Sequence, residues 1–393
     1  MPSRNPGTAN FLQAVKPVSA NNAWAVGTYS SAGAFKTFIA HWNGINWTQI
    51  SSPNPGPTNE LESVAATSAT NVWAVGISST PTTDQTLILH WDGATWTQVF
   101  SPNPGNGSSV RLTSVRSDSA GDLWAVGSYF DGTSTLTLIL RWDGHGWTQA
   151  TSPNPGTANF LQSVKPLSAN NAWAVGTYSS GGVFKTLILH WNGINWTQIT
   201  SPNPGPVNEL TSVGATSASD VWAVGISSTP TADQTLTLHW DGATWTPIPS
   251  PNPNSSDDLN GVAATSASNA WAVGNTLVGG VDQTLILHWD GTAWAPVPSP
   301  SPGGTTMDSN LSAVAATAAG NAWAVGSYRV TGGTLALALH WDGTHWAQAN
   351  APNPSSTLNQ LSAVGGSSAS NIWAVGGYQA SPTSQLALAI HCC

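Results

Sequence analysis

Short apolar runs alternate with polar, Gly- and Pro-rich segments along the whole chain, and the alternation recurs about every fifty residues. In the stretch 57–105 the apolar runs are 61–67, 72–76, 86–91 and 95–99. The segments between them contain Ser, Asn, Asp and Gly, which favour turns. Short apolar runs bounded by turn residues are typical of β-strands. The pattern therefore predicts four β-strands in each repeat.

The tetrapeptide Trp-Ala-Val-Gly marks the second strand of every repeat and occurs eight times, with successive copies 49 to 52 residues apart. Four strands with this period are typical of a β-propeller blade. We therefore predict an all-β fold, an eight-bladed β-propeller of four-stranded antiparallel blades that forms a single domain over residues 1–393. The predicted repeats span about 5–53, 54–102, 103–153, 154–202, 203–250, 251–301, 302–352 and 353–393.

The eighth repeat stops after Ile390, His391 and two cysteines, at the place where the other repeats continue into a fourth strand. We expect the last blade to lack its outer strand and to present an edge through which the chain could self-associate. Truncation of the natural chain is the alternative explanation. The two adjacent cysteines predict neither a disulfide framework nor a zinc site, and no metal or cofactor is expected.

Charged residues make up only 7% of the chain, and the formal net charge is -9. The four lysines and five arginines are scattered along the sequence, so no basic patch is expected, and nucleic-acid and anionic-membrane partners are disfavoured. No apolar run is long enough to span a membrane, and the first residues do not resemble a signal peptide. A Ser/Thr/Gly-rich chain with few cysteines nevertheless suits an extracellular or cell-surface protein.

The segment Asp92-Gly93-Ala94-Thr95-Trp96 resembles the Asp-box hairpin of sialidase-like (BNR-like) propellers, although it lacks the Ser of that motif and is one residue shorter. The order of Leu, Val-Trp-Ala-Val, Trp-Asp-Gly and Trp within a repeat is similar to tectonin-type lectin propellers. The resemblance covers essentially the whole chain. It implies the propeller fold and, by analogy, glycan binding.

Two sets of aromatic residues are candidate ligand-binding residues. One tryptophan lies on the predicted outer strand of each of seven repeats, where we expect partial exposure and a ring face suited to stacking on sugars. These are Trp47, Trp96, Trp147, Trp196, Trp245, Trp294 and Trp346. Five loops after the second strand carry a tyrosine, namely Tyr29, Tyr129, Tyr178, Tyr328 and Tyr378. The repeated His before the third-strand Trp and the Asp or Asn of the following turn are interpreted as structural.

The composition favours a non-catalytic function. Only three glutamates are present, at 60, 62 and 209, and the motifs of nucleophilic, metal-dependent and phosphate-binding enzymes are absent from the sequence. We first expect a lectin-like, multivalent carbohydrate-binding protein, since weak repeated sites gain strength by avidity. The alternative is a protein-interaction or assembly scaffold without a small ligand, and the third hypothesis is a glycoside-active enzyme. Exposed outer tryptophans would favour the lectin, whereas buried ones and an apolar surface elsewhere would favour the scaffold.

Overall fold

The computed structural model describes residues 6–105, 107, 109–118, 120–254 and 256–392, and within them every regular element is a β-strand. Among these residues there is no helix with the length and apolar character needed to cross a membrane. The chain divides into two compact units. The first unit ends at Ser201 and the second begins at Pro202, and each contains four repeats.

Each repeat of the first unit folds into a sheet of four sequential antiparallel strands. The inner strands are Ala9–Ser19 (β1), Thr58–Ser68 (β5), Val110–Ser117 (β9) and Ala158–Ser168 (β13). The second strands are Asn22–Ser31 (β2), Asn71–Ser79 (β6), Leu123–Phe130 (β10) and Asn171–Ser180 (β14). The third strands are Ala34–Trp42 (β3), Asp84–Trp91 (β7), Thr135–Trp142 (β11) and Val183–Trp191 (β15). The outer strands are Trp47–Ile50 (β4), Trp96–Gln98 (β8), Trp147–Gln149 (β12) and Trp196–Gln198 (β16).

The second unit repeats this order. Its inner strands are Val207–Ser217 (β17), Asp257–Ser266 (β21), Ser309–Ala318 (β25) and Asn359–Ser368 (β29). Its second strands are Asp220–Ser228 (β18), Asn269–Val278 (β22), Asn321–Val330 (β26) and Asn371–Ser381 (β30). Its third strands are Asp233–Trp240 (β19), Val281–Trp289 (β23), Gly333–Trp341 (β27) and Ser384–His391 (β31), and its outer strands are Trp245–Pro247 (β20), Trp294–Pro296 (β24) and Trp346–Gln348 (β28).

The eighth repeat has three strands among the residues that the structure describes, β29 to β31. Gln385, Ala387 and Ala389 of β31 each have an interaction partner. The edge of this strand is therefore not free, contrary to the expectation from the sequence. Self-association through that edge therefore stays a prediction that the structure does not support.

The hairpin between the second and third strands is longer than the sequence predicts. In the second repeat, β6 extends to Ser79 because residues 77–79 pair with residues 84–86, and only 80–83 form the loop. The tyrosines assigned to these loops therefore lie within the second strands.

The glycine of Trp-Ala-Val-Gly is required by a β-bulge on the inner strand. In the second repeat the register shifts between Leu61 and Ser63, which brings the carbonyl oxygen of Glu60 against Gly76. A Cβ atom on Gly76 would lie 2.0 Å from that oxygen. No side chain fits there, which explains the glycine at this position in all eight repeats.

The core of each unit lies between neighbouring sheets. Trp24 and Val26 of β2 pack against Leu87 and Leu89 of β7 and against Trp96 of β8. The central four residues of the third strands, such as 86–89 of β7, are buried on both faces because each sheet is covered on both sides. The inner strands of successive repeats also pack side by side within each unit.

The Ser-Pro-Asn-Pro connectors are tied to the third strand by hydrogen bonds. In the second repeat the backbone N–H of Thr86 donates to Asn103 Oδ1 at 2.6 Å, and the Thr86 hydroxyl lies 2.6 Å from Ser101 Oγ. The seventh repeat has Ala336 in place of this threonine, and the backbone N–H of Ala336 still donates a hydrogen bond to Asn353 Oδ1 at 2.6 Å. The asparagine amide therefore caps a strand N–H group that would otherwise lack an acceptor.

Candidate functional site

The seven outer-strand tryptophans are buried, so the expectation that they are partly exposed is wrong. Their exposed fractions lie between 3% and 5%. Trp96 contacts Trp24 of the preceding repeat edge-on, with ring centroids 5.3 Å apart, and Trp147 contacts Trp73 in the same way at 5.4 Å. The outer strand thus inserts its tryptophan between two sheets. A ring enclosed in this way offers no open face to a sugar.

The repeated histidines are structural in their contacts. His90 stacks on Trp73 with ring centroids 4.1 Å apart, and its Nε2 lies 2.7 Å from Asn71 Oδ1. Burial lowers the pKa of His90. Arg141 replaces the histidine in the third repeat, contacts Asp122 at 3.3 Å and lies over the ring of Trp124. A cation–π contact thus takes the place of the ring stack in that repeat.

The Asp or Asn of the turn between the third and outer strands binds its own backbone. Asp92 Oδ1 accepts hydrogen bonds from the N–H groups of Ala94 and Thr95, both at 2.8 Å. The Thr95 and Ala94 N–H groups hold the pKa of Asp92 below its usual range. Gly93 follows with φ of 102°, in the left-handed region that this turn requires. The turn chemistry accounts for these carboxylates without a catalytic role.

The five candidate tyrosines lie near the ends of second strands and are half-buried. The rings of Tyr29 and Tyr178 cover connector glycines: a Cβ atom on Gly156 would lie 3.0 Å from Tyr178 Cδ2. Tyr129 also borders a polar cavity of about 390 Å³. The other lining residues are Thr137, Gln149, Thr151, Ser152 and Asn154.

Two exposed phenylalanines lie beside the tyrosines and were missed by the sequence analysis. Phe35 of β3 is 45% exposed and pairs with Ser30, next to Tyr29; Phe184 of β15 is 38% exposed in the equivalent place. The departure from the repeat was the available signal, because other repeats have polar residues at this position. Those residues are Asp84, Thr135, Asp233, Asp282, Thr334 and Gln385.

Exposed apolar side chains and basic residues are concentrated in the first half of the chain. Residues 1–201 contain eight basic and eight acidic residues, whereas residues 202–393 contain one basic and ten acidic residues. The whole net charge of -9 thus belongs to the second half. The large apolar side chains that the structure shows as exposed all lie in the first unit, namely Phe35, Ile45, Phe100, Val183, Phe184 and Ile194.

Acidic residues of the second unit gather near one end of its sheets. Burial and the charge of Asp233 raise the pKa of Asp258, and burial and the charge of Asp308 raise that of Asp282. Across the part of the chain that the structure describes, no group of His, Cys, Asp or Glu is arranged to hold a metal ion.

Three basic side chains converge in the first unit, contrary to the expectation of scattered lysines and arginines. Lys16, Arg116 and Lys165 occupy one register position on three inner strands, each opposite the tryptophan of Trp-Ala-Val-Gly. Positions far apart in sequence become neighbours because the repeat places equivalent residues at equivalent sites.

No protein-family model and no curated protein matches the chain. Solved structures are similar to it in fold. Sqt1 of Chaetomium thermophilum bound to the N-terminus of the ribosomal protein L10 has a TM-score of 0.62 at 12% identity, with 98% of each chain covered. YCF48 bound to a D1 peptide has a TM-score of 0.50 at 15% identity, covering 84% of this chain and 91% of that one. The GH74 xyloglucanase of Xanthomonas campestris has a TM-score of 0.50 at 12% identity, covering 97% and 66%.

These similar structures are β-propellers, and the prediction of an eight-bladed β-propeller is confirmed. At such low identities the likeness shows the fold alone.

Proposed function

We propose that this chain is a non-catalytic binding protein whose partner is another protein, contacted by the β2–β3 and β14–β15 hairpins of the first unit. The observation that carries the proposal is the exposure of Phe35 and Phe184 while every outer-strand tryptophan is buried. Aromatic side chains exposed on a rigid scaffold are typical anchors of protein interfaces. Tyr29 and Tyr178 pair with Lys36 and Lys185, one position away from the phenylalanines, so the tyrosine side chains point to the other face of each hairpin and the phenylalanines are the proposed anchors.

The similar structures support a protein partner for this fold. YCF48 is bound to a D1 peptide and Sqt1 to the N-terminus of the ribosomal protein L10, so propellers of comparable size hold protein segments. Because propellers host many unrelated functions, this support concerns the class of partner and not its identity.

The chemistry of the turn carboxylates argues against a general-acid role for them. The backbone N–H groups of the turns keep the pKa of Asp92, Asp143 and Asp241 low. A carboxyl group that stays ionised is a poor general acid at neutral pH.

A second candidate function is glycan binding at the polar cavity beside Tyr129. Its hydroxyl and amide groups suit sugar hydroxyls, and its volume of about 390 Å³ is within the range of small-molecule sites. The resemblance to Asp-box and tectonin-type propellers points to the same ligand class.

The test compares two double variants that remove exposed apolar side chains from the same two repeats. Phe35→Ser with Phe184→Ser changes the hairpins, and Ile45→Ser with Ile194→Ser changes the turns at the opposite ends of β3 and β15, where the isoleucines are 72% and 78% exposed. The wild-type chain is used to capture a partner from an extract of the source cell, and the partner is purified. The dissociation constant of its complex with the wild-type chain and with each double variant is then measured by calorimetry.

We expect the phenylalanine pair to weaken the binary complex at least tenfold and the isoleucine pair to leave it unchanged. Equal effects of the two pairs would refute the assigned surface. A glycan array run on the same samples decides the second candidate: binding that is lost in Tyr129→Ala and kept in the phenylalanine variant would replace the protein proposal.

A further inference from the structure

The inner strands of the first unit carry three basic residues at a position that the fold fills elsewhere with small ones. Lys16 lies opposite Trp24, Arg116 opposite Trp124 and Lys165 opposite Trp173. The remaining repeats have Ala65, Gly214, Ala263, Ala315 and Gly365 at the equivalent position. The blade therefore does not need a long side chain here.

The three side chains lie within range of one another's charge. Burial and the positive charges of Arg116 and Lys165 lower the pKa of Lys16, and burial and Arg116 lower that of Lys165. Arg116 Nη1 donates to Ser63 Oγ at 2.9 Å and to the carbonyl oxygen of Val115 at 2.8 Å, which fixes the guanidinium. Arg116 is exposed to solvent, although the surrounding protein atoms lower its pKa.

The three cations have no acidic partner among the described residues. The ion pairs that arginines form there are Arg111 with Glu62, Arg141 with Asp122 and Arg329 with Asp308. Like charges that lie close together repel one another unless opposite charge compensates them, and here the two lysines are half-buried while Arg116 is exposed. This chain has only nine lysines and arginines, and it places three of them at this site.

We propose that the inner strands of the first unit bind a small anionic group with at least two negative charges, held by Lys16, Arg116 and Lys165. The guanidinium has N–H groups beyond those bonded to Ser63 and Val115, and its planar geometry matches the oxygens of phosphate and carboxylate. The lysines add point charges that pair with the remaining oxygens. Phosphate and polycarboxylates share this chemistry. The site lies on the inner strands and not on the hairpins proposed for the protein partner, so the two proposals stand independently.

The test titrates inorganic phosphate and citrate into the full chain by calorimetry, with sodium chloride at matched ionic strength as the reference. The variants are Arg116→Ala and the double variant Lys16→Ala with Lys165→Ala, since alanine occupies this position in three other repeats. Arg111→Ala is the matched control, because it removes the same charge from the same inner strand and Arg111 is already paired with Glu62.

We expect saturable binding of at least one anion to the wild-type chain, weakened at least tenfold by Arg116→Ala and by the double lysine variant and unchanged by Arg111→Ala. Preference for phosphate or for citrate identifies the chemical source of the charge. Absence of binding at millimolar anion, or an equal loss in Arg111→Ala, would overturn the proposal. If Arg116→Ala does not fold, the double lysine variant decides between the two results.

Discussion

Replacing Trp96 by alanine distinguishes a packing role from a sugar-binding role for the outer-strand tryptophans. Trp96 is 5% exposed and contacts Trp24 edge-on at 5.3 Å and Trp91 at 6.0 Å. A large aromatic side chain buries about 150–250 Å², which at about 25 cal/mol per Å² corresponds to roughly 4–6 kcal/mol as an upper estimate. Measured losses for removing a core tryptophan are about 3–5 kcal/mol, and we expect Trp96→Ala to fall in that range.

The assay is unfolding in guanidinium chloride monitored by circular dichroism, with two control variants. Trp96→Phe keeps an aromatic ring and breaks no hydrogen bond, because the indole N–H of Trp96 has no acceptor among the described residues. We expect it to cost less than half as much as alanine. Thr97→Ala changes the exposed next residue of β8 and should alter the free energy of unfolding by less than about 0.5 kcal/mol.

A decrease in the free energy of unfolding of less than about 1 kcal/mol for Trp96→Ala would refute the packing argument. Trp96 would then again be a candidate for stacking on a sugar. The expected large loss has a practical consequence. A lectin assay on tryptophan-to-alanine variants would report unfolding as loss of binding, so Trp96→Phe is the informative substitution for glycan studies.

Two further predictions concern the histidines and the connectors. Burial lowers the pKa of six histidines in the folded chain. Near and below pH 6.5 the unfolded chain therefore binds more protons than the folded chain, and acid favours unfolding. We expect the thermal midpoint to fall as the pH is lowered from about 7 to about 5.5, and to fall less steeply in His90→Gln. A midpoint independent of pH would contradict the neutral, packed imidazoles. Asn103→Ala leaves the buried N–H of Thr86 without its acceptor and should cost about 1–3 kcal/mol in chemical unfolding. Thr86→Ala should cost less, since Ala336 occupies that position in the seventh repeat.

The sequence predicts the repeated architecture well because the repeat itself carries the information. The Trp-Ala-Val-Gly spacing locates the blades, and Asp92-Gly93 locates a turn whose hydrogen bonds the structure contains. The burial of Trp96 could not be predicted, because alternation in a three-residue strand does not tell which face another sheet covers. The contact with Trp24 joins different repeats, and single-sequence patterns contain no such pairing.

The basic cluster illustrates how repetition turns remote positions into neighbours. Residues 5–100 recur almost unchanged at 154–249, so Lys16 and Lys165 are copies of one lysine. Arg116 lies outside the duplicated block, in the third repeat, and yet occupies the same register position. Two separate origins have therefore placed cations at a site where alanine or glycine suffices in five other repeats. Because like charges that lie close together repel one another, an anion bound between them would remove a repulsion that the blade itself has no need to maintain.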